Sequence, residues 1–145
     1  MTFKGGLAAL ALAITMGVQP AMADPRKVAI HVDDDSVKVM NMALNNAENI
    51  EKYYAGKGEK VVVEIVTYGP GLTMLREDMS PVKDRIAEMA LQYEDLTFSA
   101  CLNTVESIKQ KTQQDVPLIE EATVVPSGAV RLMELQGEGY AYLRP

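Results

Sequence analysis

The chain has one cysteine, Cys101, and one histidine, His31, and these are the residue types best suited to nucleophilic or proton-transfer chemistry. Cys101 closes the β-rich run Leu96-Thr97-Phe98-Ser99-Ala100-Cys101 and precedes a helical one. A sulfur placed there meets the unpaired amides and the positive end of the following helix. That environment lowers a thiol pKa and favours the thiolate, the form that attacks sulfur or electrophiles. Nearby acids would act in the opposite sense, and the sequence leaves that balance open. A single cysteine makes no disulfide within the chain, so the thiol is buried filler, a reactive group or a bridge between chains. His31 would make a base-activated nucleophile if it reached Cys101. Alternation along its strand instead groups it with Ala29 and Asp33.

Three further patterns raise chemistry and have plainer readings. Asp33-Asp34-Asp35 suits a hard cation, but its spacing matches no calcium loop, and acids just before a helical pattern cap it and suit its dipole. Gly69-Pro70-Gly71 could bring amides to an anion with Arg76 as counter-charge. Its spacing is neither that of a P-loop nor that of a dinucleotide fingerprint, and turn geometry alone accounts for the glycines. Six methionines follow Asp24 (Met40, Met42, Met74, Met79, Met89 and Met133), a composition that suggests Cu(I). Most fall on helical stripes, where filling the core is their ordinary use. The sequence points to no metal and no cofactor.

Alternating strands and helices must position these groups. Residues 27–33 read as a first strand. From Ser36, apolar residues recur at Val37, Met40, Leu44, Ala47, Ile50 and Tyr54 until Gly56-Lys57-Gly58, the pattern of an amphipathic helix with a glycine stop. Residues 61–68 are almost continuously apolar, interrupted by Glu64, as in a parallel strand covered on both faces. A loop over 72–79 leads to Ser80-Pro81, which predicts a helix start, with a stripe of Val82, Ile86, Met89, Ala90 and Tyr93. A third strand ends at Cys101, and a short helix runs from Asn103 or Thr104 to Lys111. Residues 122–125 form a fourth strand, Pro126-Ser127 opens a helix through Leu135, and 140–143 form a terminal strand. Right-handed crossovers between about five mainly parallel strands predict a three-layer α/β/α sandwich of flavodoxin-like type. Ligands gather outside the carboxyl ends of such strands, which places the aspartate run, the Tyr68-Gly69-Pro70-Gly71-Leu72 turn and Cys101 on one rim.

Met-Thr-Phe-Lys, an uncharged apolar run over residues 5–18 and Ala21-Met22-Ala23 have the three-part plan of a secretory signal peptide cleaved after Ala23. The run is shorter than the roughly 20 residues a membrane span needs, so no membrane attachment is expected of the mature form. Removing 23 of 145 residues leaves one domain over 24–145, periplasmic or secreted. Losing Lys4 and no acid moves the formal charge from −6 to −7, which argues against nucleic acid as a partner.

Ala100-Cys101-Leu102-Asn103-Thr104 after Phe98, Tyr68-Gly69-Pro70-Gly71-Leu72 upstream, and Val125-Pro126-Ser127-Gly128-Ala129 through Gly139-Tyr140-Ala141-Tyr142 downstream together resemble the DsrE/DsrF-like family, specifically its small exported members. The resemblance implies a flavodoxin-like fold and a trimer or hexamer. It also implies sulfur-relay chemistry, with Cys101 at the position that carries a persulfide between a donor and an acceptor protein. The best-known relay members are cytoplasmic and differ around the cysteine. The expectation is therefore a periplasmic sulfur carrier, sulfurtransferase-like, acting through Cys101. The alternative is a non-catalytic oligomeric binding module in which Cys101 is structural.

Overall fold

The computed structural model describes residues 1–2 and 24–145. Apart from Met1 and Thr2, the leader expected over residues 1–23 lies outside the described residues. Strands β1 (Arg26–Val32), β2 (Val61–Thr67), β3 (Leu96–Cys101), β4 (Ala122–Val125) and β5 (Ala141–Leu143) form one sheet in the order β4-β3-β2-β1-β5. Every neighbouring pair is parallel. Helices α1 (Val37–Ala55), α2 (Lys83–Gln92), α3 (Leu102–Thr112) and α4 (Gly128–Gly137) cover its two faces, giving the three-layer α/β/α, flavodoxin-like architecture.

Strand order explains which helix lies where. From β1 to β4 the chain steps across the sheet in one direction, so right-handed crossovers lay α1, α2 and α3 on one face. The return from β4 to β5 runs the other way, and the same handedness puts α4 on the opposite face. Side-chain packing agrees. Ile30, Val63, Ile65 and Phe98 meet Met40 and Leu44 of α1, Ile86 and Met89 of α2, and Val105 and Ile108 of α3. On the second face Ala29 and Val66 meet only Leu132 and Leu135 of α4, flanked by Tyr68 and Tyr140. One face is thus fully covered, and the other carries a single ten-residue helix.

Element ends follow local chemistry. Ser36 caps α1 by accepting from the Lys38 amide, and Ser127 caps α4 by accepting from the Val130 amide. Two local expectations differ from what is found. Residues expected as a loop begin instead as a 3-10 turn, Gly69–Leu75, in which Gly71 lies so close to β1 that an added Cβ would sit 2.1 Å from the Val32 carbonyl oxygen. Ser80 does not start α2, which begins at Lys83. Its hydroxyl donates to the Met74 carbonyl at 2.6 Å and accepts from the Val82 amide, so it pins a turn onto the 3-10 segment and the helix starts two residues later, with Val82 as its N-cap.

Candidate functional site

Cys101 ends β3 beside Val125, the last residue of β4. From these neighbouring ends the chain diverges, α3 toward the first face and α4 toward the second. This is a topological switch point, the place where an open α/β sheet leaves a crevice between diverging connections. Cys101 is itself the N-cap of α3, in extended backbone with φ −72° and ψ 114°. Alternation along β3 puts its side chain on the second face with Thr97 and Ser99, beside the start of α4. An added Cβ on Gly128 would lie 3.3 Å from Cys101 Cβ and 2.9 Å from Tyr68 Cδ1, so the first residue of α4 is wedged between those two side chains.

Two helix N-termini therefore meet at one sulfur. Burial pushes the Cys101 thiol up, but the Thr104 hydroxyl and the backbone N–H groups of Gly128, Thr104 and Asn103 outweigh it and leave the thiol below its ordinary value. Each donor favours the charged form. Thr104 Oγ1 accepts from the Gly69 amide at 3.0 Å, which leaves its hydroxyl proton free for another acceptor. The thiol is nearly enclosed, with 4% of the residue exposed.

The expected rim forms, with roles that differ from residue to residue. His31 stacks on Tyr68 with ring centroids 4.6 Å apart, and its Nδ1 lies 2.7 Å from Tyr142 Oη. Its buried Nε2 has no hydrogen-bond partner and sits 3.9 Å from Asp33 Oδ2. Burial first of all lowers the His31 pKa; Asp33 opposes this and Arg144 reinforces it. Neither ring nitrogen bonds Cys101, so the two do not form a nucleophile–base pair. The aspartates divide their work: Asp33 binds the Arg144 guanidinium, Asp34 accepts from the Ser36 amide at 2.7 Å, and Asp35 is exposed. Arg76 is held by Asp78 through two hydrogen bonds and does not serve the glycine turn. Among the methionines, Met40, Met74 and Met89 fill the core, while Met42, Met79 and Met133 are exposed.

A second cluster was foreshadowed only by the charge that interrupts β2. Glu64 is buried on the second face, where its carboxylate accepts from Ser99 Oγ at 2.6 Å and from Arg131 Nε and Nη2 at 2.8 and 2.7 Å. Arg131 belongs to the first turn of α4 and is itself held well above its ordinary value, mainly by Glu64. Beside this ion pair, Thr97, Thr123, Val125, Pro126, Val130 and Glu134 line a groove of about 610 Å³ on the half-covered face.

Comparison with known proteins adds identity to this geometry. The model of the DsrE/DsrF-like family matches residues 6–145. The chain belongs to the DsrE/DsrF-like family. A solved structure of a protein of unknown function, MTH1491 from Methanobacterium thermoautotrophicum, is 30% identical with a TM-score of 0.71, covering 83% of this chain and 99% of that one. No curated protein matches the chain. Membership of the DsrE/DsrF-like family is consistent with a sulfur-relay-related role.

Proposed function

We propose that this DsrE/DsrF-like protein carries sulfane sulfur as a persulfide on Cys101. The observation that supports the reading most directly is the meeting of the α3 and α4 N-termini at the buried Cys101, whose thiol the Thr104 hydroxyl and the nearby amides hold below its ordinary value. The Cys101 thiolate attacks the terminal sulfur of a donor persulfide, R–S–SH. The donor S–S bond breaks, a new S–S bond forms, and R–S⁻ leaves, with no net oxidation or reduction. The amides that stabilise the thiolate then face the persulfide, whose terminal sulfur an acceptor thiolate removes by the same exchange. The exchange needs no cofactor, and among the described residues the side chain that acts on the thiol besides Cys101 itself is that of Thr104.

Export to the periplasm and assembly into a trimer or hexamer are part of the proposal. The half-covered sheet face supports assembly: Val130 and Met133 on α4 are 50% and 71% exposed beside the groove lined by Val125 and Pro126. No helix among the described residues is long and apolar enough to cross a membrane. Native mass spectrometry of the chain from Asp24, treated with polysulfide, reads oligomer and sulfur adduct together. The wild type gains a reducible adduct of one sulfur atom per subunit and Cys101→Ser gains none. A wild type that gains none from any persulfide or polysulfide donor overturns the carrier reading. The burial of Cys101 favours one other reading, a binding module in which the residue only fills space. It requires alkylation far slower than in the unfolded chain at every pH.

A further inference from the structure

Glu64 is the one acid among the buried residues of the sheet, a carboxylate with 7% side-chain exposure in a strand flanked on both sides. Nothing in the exchange chemistry uses it. Its three donors nevertheless come from both sides of the problem that the Cys101 site poses. Ser99 lies on β3, two residues before Cys101, and Arg131 lies on α4, three residues after Gly128. Among the described residues α4 is the only helix on its face, and it is anchored to the sheet by two buried leucines, Leu132 and Leu135. Leucine contacts are non-directional and permit sliding, whereas a bidentate guanidinium–carboxylate pair fixes distance and rotation together. Gly128 tolerates no such sliding, because there is no room for one carbon between it, Tyr68 and Cys101.

We propose that Glu64 and Arg131, braced by Ser99, are positioning residues: they lock the first turn of α4 to β2 and β3, and so hold the Gly128 N–H against the Cys101 sulfur. The inference rests on Cys101 working as a thiolate. The buried pair is then explained by the precision it gives to a neighbouring group, while its net contribution to stability is small, since apolar replacement of such pairs is often neutral.

The test uses the chain from Asp24 with Arg131→Lys, which keeps the charge and loses the fork, and with Glu64→Leu/Arg131→Leu, which removes both charges and keeps an apolar contact. The rate of Cys101 alkylation by iodoacetamide is followed against pH, alongside uptake of sulfur from polysulfide. In both variants the midpoint of the pH profile moves up by about one unit, so the rate well below the midpoint falls about tenfold at fixed pH. A purely structural role for the pair would lower the melting temperature and leave that midpoint in place. The double variant keeps the inference testable if Arg131→Lys does not fold. Folded variants with the wild-type midpoint overturn the positioning role and leave the carrier reading standing. A wild-type midpoint equal to that of the unfolded chain overturns the positioning role, and the carrier reading falls with it if no sulfur is taken up. A low wild-type midpoint that rises in the variants, with no sulfur uptake anywhere, upholds the positioning role and sinks only the carrier reading.

Discussion

Thr104→Val removes the hydroxyl that holds the Cys101 thiol down and that accepts from the Gly69 amide. Valine keeps the branched shape, so the start of α3 and its packing survive. The lost hydroxyl accepts from the Gly69 amide at 3.0 Å and is the strongest of the influences that hold the thiol down. A hydrogen bond to a charged group is worth roughly 1.5–3 kcal/mol, and one pKa unit is about 1.36 kcal/mol. The thiol midpoint should therefore rise by about one to two units, toward the lower end because the amides of Gly128, Thr104 and Asn103 remain. The orphaned Gly69 amide costs about 1 kcal/mol of stability in addition. The assay is the pH dependence of alkylation, with Thr104→Ser as the control that restores the hydroxyl and the midpoint. A folded Thr104→Val protein with an unmoved midpoint would show that the hydroxyl points away from sulfur, and the helix-amide account would then have to carry the whole shift.

Gly128→Ala should destabilise the domain by about 1–3 kcal/mol, as over-packing does, because its Cβ would stand 2.9 Å from Tyr68 and 3.3 Å from Cys101; equilibrium denaturation measures this, and a wild-type stability would refute the wedge. The same variant should slow Cys101 alkylation near neutral pH as the α4 amide is pushed off the sulfur. Stability should also depend on His31. Its pKa is lowered in the fold, mainly by burial, so between that value and about 6.5 the unfolded chain binds more protons. The His31 contribution is thus fully present above about pH 6.5 and is lost as pH falls through the folded value. Melting curves from pH 7.5 down to pH 5.5 should show this loss in the wild type and not in His31→Phe. An equal loss in both would assign it to the carboxylates.

Periodicity made the frame legible. The 3.6-residue stripe from Val37 to Tyr54 and the continuous apolar run of β2 carry their own reading, because each element buries a defined face. The site was legible to the extent that it is local: Cys101 and the α3 amides are neighbours in sequence. What stayed hidden depends on strand order. Gly128 meets Cys101 only because the last crossover returns over the opposite face, and Arg131 finds Glu64 across 67 residues. Tyr142 and Arg144 reach His31 and Asp33 across 111 residues, so the sequence showed the rim acids without their partners. Glu64 was the one signal left unused, since a charge inside a buried strand implies a partner elsewhere in the chain.

The order β4-β3-β2-β1-β5 has a consequence for assembly in time. β2, β3 and β4 each pair with the strand made just before, and these separations cost less to close than the one that joins β5 to β1. α4 and β5 must instead travel back across the sheet, where Ala141 pairs with Val28 at the far end of the domain. The Gly128 amide arrives with that last segment. A chain halted before this step keeps the α3 amides and the Thr104 hydroxyl and lacks only the Gly128 contribution, so its thiol is partly activated. The last group that lowers the thiol pKa is thus added only with the final segment to join the sheet, so full activation follows completed topology.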